Sequence, residues 1–168
     1  MVGSRAGFGL EFHVERDASL LCVDVFVGGL HVNTWDNAFY PPLLVKKLKD
    51  ELARFRAPAA PPEGFTSPFE SFLLAESWMY DDERCRAELP RCAFLEWGEC
   101  TDEVTAFAFP DGDRVHLACR VRDGGGVAWG TEPRQEPTVV TVNRADLVGT
   151  LEHALAVAER EWSARRSC

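Results

Sequence analysis

The chain has 168 residues, of which 46% are hydrophobic and 27% are charged, and its net charge is −9. A chain of this length is typical of one globular domain that folds without a metal or disulfides. We therefore predict a single domain over residues 1–168. No apolar run reaches the roughly 18–20 residues of a membrane span. The first residues, MVGSRAGFGLEFH, lack the apolar core of a secretory signal. We expect a cytoplasmic protein without membrane contact.

Negative charge is concentrated in residues 63–103, which we call the acidic band. Three bases oppose its acids: Arg84, Arg86 and Arg91. The eleven acids are Glu63, Glu70, Glu76, Asp81, Asp82, Glu83, Glu88, Glu96, Glu99, Asp102 and Glu103. Phosphate contacts need clustered Lys and Arg, so direct nucleic-acid binding is not expected. An acidic surface favours association with a basic protein partner, although a charge run also serves solubility alone.

The first third of the chain predicts strands followed by a helix. Polar and apolar residues alternate over 8–14, and a second apolar run covers 19–27. Gly28-Gly29 predicts a primed hairpin turn into a third strand, LHVNTW (residues 30–35). In that register His31 shares a face with Phe26 and Asp24. This arrangement indicates either an exposed cross-strand pair or the start of a polar site.

The stretch NTWDNAFYPPLL connects these strands to the first helix. Pro41 and Pro42 are typical of a helix start, and apolar residues then recur at helical spacing as far as Phe55. Asp36 or Asn37 is suited to an Asx-turn at this entry. The connection is explained mainly as a helix entry. If its aromatic residues are exposed, it is also the rim of a recognition surface.

The rest of the chain predicts a proline-rich loop, a β-rich region and a second helix. Residues 57–68 form the loop, residues 69–80 suit either a helix or a strand, and residues 93–99 suggest a short strand. Strands at 104–109 and 114–122 flank a Pro-Asp-Gly-Asp turn. Two further strands are predicted at 127–129 and 138–142. Asn143 is a candidate N-cap for a helix that reaches Trp162. We predict an α+β fold, a mainly antiparallel sheet built from hairpins with two amphipathic helices packed against it.

Most catalytic signatures are missing from the sequence. It has no G-x-S-x-G elbow, no P-loop and no H-E-x-x-H motif, and we expect no cofactor. One hypothesis is a small enzyme of bacterial metabolism with a pocket beside the sheet, using a set such as His31, Asp24 and Cys22, or His116. Another hypothesis is a metal-binding protein that uses Cys85, Cys92 and Cys100, although their spacing does not match a zinc knuckle.

Our first hypothesis is a non-enzymatic protein-binding domain. Aromatic side chains among acids are typical interface anchors, so two groups of residues are candidates for partner binding. The first group lies in the strand-to-helix connection and comprises Trp35, Asp36 and Tyr40. The second group lies in the acidic band and comprises Trp78, Tyr80, Asp81, Asp82, Glu83 and Trp97.

Two stretches carry a resemblance to known proteins. The first stretch is VFVGGLHVNTWDNAFYPPLLVKKLKDEL, and the second is DEVTAFAFPDGDRVHLACRV together with the helix that follows it. They resemble small actinobacterial proteins of unknown function. They are also similar in style to immunity proteins of bacterial polymorphic toxin systems. The resemblance covers about half of the chain and implies a single-domain cytosolic protein that binds and neutralises a cognate toxin.

Overall fold

A computed structural model describes residues 1–57, 60–61, 64–122 and 136–166. The fold is α+β, with antiparallel sheets and helices, as the hairpin pattern predicts. None of the described helices is both long and apolar enough to span a bilayer. The strand predicted at 127–129 and residues Glu63 and Cys168 lie outside the described residues.

Sheet 1 contains five short antiparallel strands. They are β1 (Val2–Gly3), β2 (Phe8–His13), β3 (Leu21–Val27), β4 (Leu30–His31) and β5 (Ala38–Phe39). The order is β1-β2-β3-β4, and β5 pairs with β3 beyond the end of β4. Gly28 and Gly29 both have positive φ, at 58° and 89°, which confirms the primed turn.

Sheet 2 has the order β6-β7-β8. Its strands are β6 (Val104–Asp111), β7 (Arg114–Val121) and β8 (Thr138–Asn143). Asp111 pairs with Arg114, so the turn consists of Gly112 and Asp113 rather than Pro-Asp-Gly-Asp. The prediction placed Pro110 in the turn and was wrong. Pro110 continues β6 because its missing N–H falls on the side away from β7.

The five described helices form two groups. The long helices α1 (Pro41–Arg56) and α5 (Arg144–Arg166) pack against each other. The second group is α2 (Pro68–Trp78), α3 (Asp82–Ala87) and α4 (Leu89–Cys92). α2 contacts β6 and β7. The stretch that suited either a helix or a strand is therefore helical as far as Trp78. Ser67 caps α2 by accepting from the Glu70 N–H at 3.3 Å.

Two hydrophobic clusters hold these elements together. The larger joins the inner face of sheet 1, one face of sheet 2, and helices α1 and α5. The smaller lies between α2 and the other face of sheet 2, and contains Phe72, Trp78, Phe107 and Phe109. Sheet 2 is therefore covered on both faces over β6 and β7.

The strand predicted at 93–99 does not form. Ala93 makes an isolated bridge to Phe107, and a short 3₁₀-helix (Glu99–Thr101) follows. Between them Leu95, which is buried, has φ of 60°. This left-handed conformation breaks any extended run and turns the chain back into the core.

Candidate functional site

The strand-to-helix connection is organised by Asn33, a residue to which the sequence reasoning assigned no role. β4 ends at His31 instead of continuing to Trp35 as predicted. The buried Asn33 amide accepts from the Val25 N–H and donates to the Val23 carbonyl, each at 2.8 Å. It thus supplies the hydrogen bonds to β3 that a longer β4 would have made, and the following residues leave the sheet.

This connection displays two aromatic side chains. Trp35 is 69% exposed and Tyr40, which precedes α1, is 63% exposed. Asp36 closes an Asx-turn by accepting from the Ala38 N–H at 2.9 Å. The sequence predicted such a turn at either Asp36 or Asn37. The helix-entry interpretation therefore explains Asp36. It leaves Trp35 and Tyr40 as exposed aromatic side chains.

A polar cluster lies on the face of sheet 1 opposite the core, around Asp24. The carboxylate is 2.8 Å from Nε2 of His13 and 3.4 Å from Nε2 of His31. The Asn37 side-chain amide donates to the same carboxylate at 2.6 Å. The ring of Phe26 stacks on His31 with centroids 4.9 Å apart. The structure therefore brings His31 beside Asp24, as the hairpin register predicts, and adds His13 and Asn37.

The chemistry of this cluster is that of a half-buried carboxylate whose oxygens have hydrogen-bond partners. Burial raises the pKa of Asp24, but hydrogen bonds from Asn37 and His13 outweigh it and hold that pKa below its usual range. Cys22, the candidate nucleophile of the enzyme hypothesis, is buried on the same face, and burial raises its pKa. A raised thiol pKa leaves little thiolate, so Cys22 is not activated as a nucleophile.

Two cavities lie away from the Asp24 cluster. One of about 290 Å³ is lined by residues of α1 and α4, among them Glu51, whose pKa is raised by burial. The other, of about 390 Å³, lies beside β8 and the start of α5. The enzyme hypothesis required a pocket containing His31, Asp24 and Cys22, and neither cavity contains them. His116, the other candidate, stacks on Phe65 and contacts the Thr141 hydroxyl at 2.8 Å.

The cysteines of the metal hypothesis are free thiols in different surroundings. Cys85 is half-buried on α3, whereas Cys92 and Cys100 are buried. Burial raises the pKa of Cys92 to about 11 and of Cys100 to about 12, which opposes the thiolate form that binds metals. Among the residues that the structure describes, no group of three or more His, Cys, Asp or Glu is placed to hold a metal ion.

The acidic band is divided by the fold. Glu76 is buried and pairs with Arg120 of β7, so it does not belong to the surface. Asp81 caps α3 by accepting from the N–H groups of Glu83 and Arg84, each at 3.1 Å. Asp81, Asp82 and Glu83 are exposed, with Arg84 exposed beside them. The acids at and after the 3₁₀-helix, Glu99, Asp102 and Glu103, are exposed, and that helix lies against β5.

Two of the predicted partner-binding aromatics lie inside the protein. Trp97 is 1% exposed and packs edge-on against Phe8 and Phe39 in the larger cluster. Trp78 is 5% exposed and belongs to the smaller cluster. Neither ring is presented to a partner, and both are removed from the candidate surface. Tyr80, at 64% exposed, remains.

The outer face of α2 is the largest concentration of exposed apolar side chains along the described chain. Ten large apolar residues are exposed in the described chain as a whole, and five of them fall within residues 69–80. We call these five the α2 patch: Phe69, Leu73, Leu74, Met79 and Tyr80. The opposite face of α2 packs on sheet 2 through Phe72, Ala75 and Trp78. A helix that is apolar on both faces is ordinarily covered on both.

Comparison with known protein families, with characterised proteins and with solved structures finds no match for this chain.

Proposed function

We propose that this protein is a non-enzymatic protein-binding domain that docks a basic protein partner on the α2 patch, as an immunity protein docks its toxin. The observation that carries the proposal is the clustering of exposed apolar residues on α2. Contiguous exposed apolar surface is costly in water and marks interaction sites. Tyr80 in particular combines a large exposed ring with a polar tip, which is the residue type that anchors interfaces.

Charge around the patch supports a basic partner. Glu70 lies within the patch on the exposed face of α2, and Asp81, Asp82 and Glu83 follow Tyr80 directly. Arg84 and Arg86 offset part of this charge, and the whole chain remains at −9. An apolar centre with an acidic rim suits a partner that has an apolar anchor site surrounded by Lys and Arg.

The first test separates the α2 patch from the other exposed aromatics. The partner is captured from the native host with the tagged full chain, and the purified pair is studied by isothermal titration calorimetry. We expect Leu73→Asp to weaken binding by about 30-fold or more, as for an interface hot spot. The matched control is the double variant Trp35→Ser/Tyr40→Ser, which removes exposed aromatic area elsewhere. If the control loses affinity and Leu73→Asp does not, the α2 patch is not the binding surface.

The second test examines the acidic rim. The triple variant Asp81→Asn/Asp82→Lys/Glu83→Lys reverses the charge while Asn retains the capping role at position 81. We expect slower association and an affinity about tenfold weaker at low salt, with the difference from the natural protein shrinking as NaCl is added. Association that is equally fast for both proteins and independent of salt would rule out charge complementarity.

A further inference from the structure

Strand β8 is the last strand of sheet 2, and none of the strands that the structure describes pairs with its outer side. The Arg144 N–H donates to the Asp113 carbonyl at 2.8 Å, which fixes the phase of hydrogen bonding between β7 and β8. In an antiparallel ladder bonded pairs alternate with unbonded ones. The main-chain groups of Val140 and Val142 therefore point to β7. Those of Val139 and Thr141 point away from it, towards the free edge.

The two edges of sheet 2 differ in their protection. At the β6 edge the Phe94 N–H donates to the Ala106 carbonyl at 2.9 Å, and Pro110 lacks an outward N–H. β8, with the sequence TVVTVN, contains no charge, proline or glycine of its own, and Pro137 directly precedes it. Natural edge strands are usually blocked by such residues because an open edge pairs with other strands. β8 is therefore suited to pairing.

We infer that β8 pairs with β8 of a second copy of this chain, antiparallel and centred on Val140, so that two copies of sheet 2 become one continuous sheet. This register places Val139 of one copy opposite Thr141 of the other, and both residues have their main-chain groups directed outward. Each such pair exchanges both main-chain hydrogen bonds. Val139, which is 38% exposed in the single chain, gains a cross-strand neighbour.

The charges at the ends of β8 fit the same register. The exposed Glu136 precedes the strand and the half-buried Arg144 follows it, with no charged residue between them. In an antiparallel pair centred on Val140, Glu136 of each copy lies opposite Arg144 of the other. The two-fold arrangement therefore joins opposite charges at both ends of the interface.

A cavity lies beside β8, at the side where the second strand would enter. The cavity, of about 390 Å³, is lined by Thr141 and Asn143 of β8 and also by Gly3 and Gly7. Glycine has no side chain to extend into that space. Thr141 and Asn143 are themselves exposed.

Sedimentation velocity of the full chain over concentrations from about 1 μM to about 1 mM tests the inference, since a contact of one strand is small and its affinity modest. We expect the mass to rise from the monomer value of 18.7 kDa towards twice that value. Glu136→Arg or Arg144→Glu alone is expected to weaken dimerisation at least about tenfold. The double variant Glu136→Arg/Arg144→Glu restores the opposite-charge pairs and the dimer.

Three results would overturn the inference: a monomer at every concentration, a dimer that neither single charge reversal weakens, or a double variant that does not recover. Leu73→Asp on the α2 patch is the control that keeps this inference separate from the proposed function. It leaves the dimer intact if β8 is the interface, and loss of the dimer in this variant would assign self-association to α2 instead. The charge reversals leave the α2 patch unchanged, so binding of the basic partner is measured independently.

Discussion

At the scale of single residues, Asp24 shows how a half-buried carboxylate is stabilised within a small sheet. Its two oxygens contact His13 of β2, His31 of β4 and Asn37 of the connection that follows β4. The cluster therefore ties three segments of sheet 1 together. The pKa of Asp24 lies below its usual range, which means that folding favours the ionised form of this carboxyl.

The depressed pKa gives a pH dependence with a definite sign. Because the folded pKa lies below the unfolded value of about 3.9, the contribution of Asp24 is present above about pH 5 and disappears as the pH falls through the folded pKa. We expect Asp24→Asn to lower the free energy of unfolding by about 1–2 kcal/mol at pH 7. The difference from the natural protein should shrink below about pH 4. Urea denaturation at several pH values measures it.

The control for this prediction is Asp113→Asn, an exposed carboxyl in the β6–β7 turn. It should change stability little at any pH. A loss of stability in Asp24→Asn that stays constant down to pH 3 would show that Asp24 acts through packing rather than through its charge.

At the scale of elements, α2 is attached to sheet 2 by a buried ion pair as well as by apolar contacts. Glu76 of α2 and Arg120 of β7 each have only 11% of the side chain exposed. The Arg120 guanidinium also lies 4.9 Å from the centre of the Phe72 ring, a favourable cation–π position. This pair fixes which face of α2 is buried, and so directs the α2 patch to solvent.

A double-variant cycle tests the role of the pair. Glu76→Met or Arg120→Met alone removes one member of the buried ion pair and should cost about 3–5 kcal/mol of unfolding free energy. The double variant removes both charges and should be much closer to the natural protein. Urea denaturation measures all four proteins. If the two single losses simply add in the double variant, the two side chains do not act as a pair.

At the scale of the whole molecule, the two hydrophobic clusters predict unequal local stability. The larger cluster unites both sheets with α1 and α5, whereas the smaller one binds only α2 and its neighbours to one face of sheet 2. Elements held by fewer buried contacts open at lower free energy than the global transition. The proposed binding surface therefore belongs to the part of the protein that opens more readily.

Hydrogen exchange followed by mass spectrometry tests this difference. Peptides from β3, β7 and α1 should exchange only through global unfolding, and those from α2, α3 and α4 at least about tenfold faster. Addition of the bound partner should slow exchange in α2 specifically. Equal protection across all of these elements would show that the two clusters unfold as one unit.

Several of these features followed from local sequence. Four predictions agree with the structure: the Gly28-Gly29 turn, the alternation of β2 and β3, the start of α1 at Pro41 and the Asn143 cap of α5. The Asn143 side chain accepts from the Ala145 N–H at 2.8 Å. Each depends on neighbouring residues only, through φ preference, side-chain periodicity or capping. The proximity of His31 and Asp24 also followed, because a two-residue turn fixes hairpin register.

The chain by itself determined the α+β class, the position of its hairpins and its excess of negative charge. Only the tertiary structure decided which aromatic side chains are exposed: Trp78 and Trp97 are buried, whereas Tyr80 and Trp35 face solvent. It also decided that Asn33 replaces part of a strand, that Glu76 pairs with Arg120 instead of joining the acidic surface, and that apolar side chains on the second face of α2 are exposed within the described part of the chain. These outcomes depend on contacts between segments distant in sequence, and such contacts leave no periodicity in the local pattern from which they could be predicted.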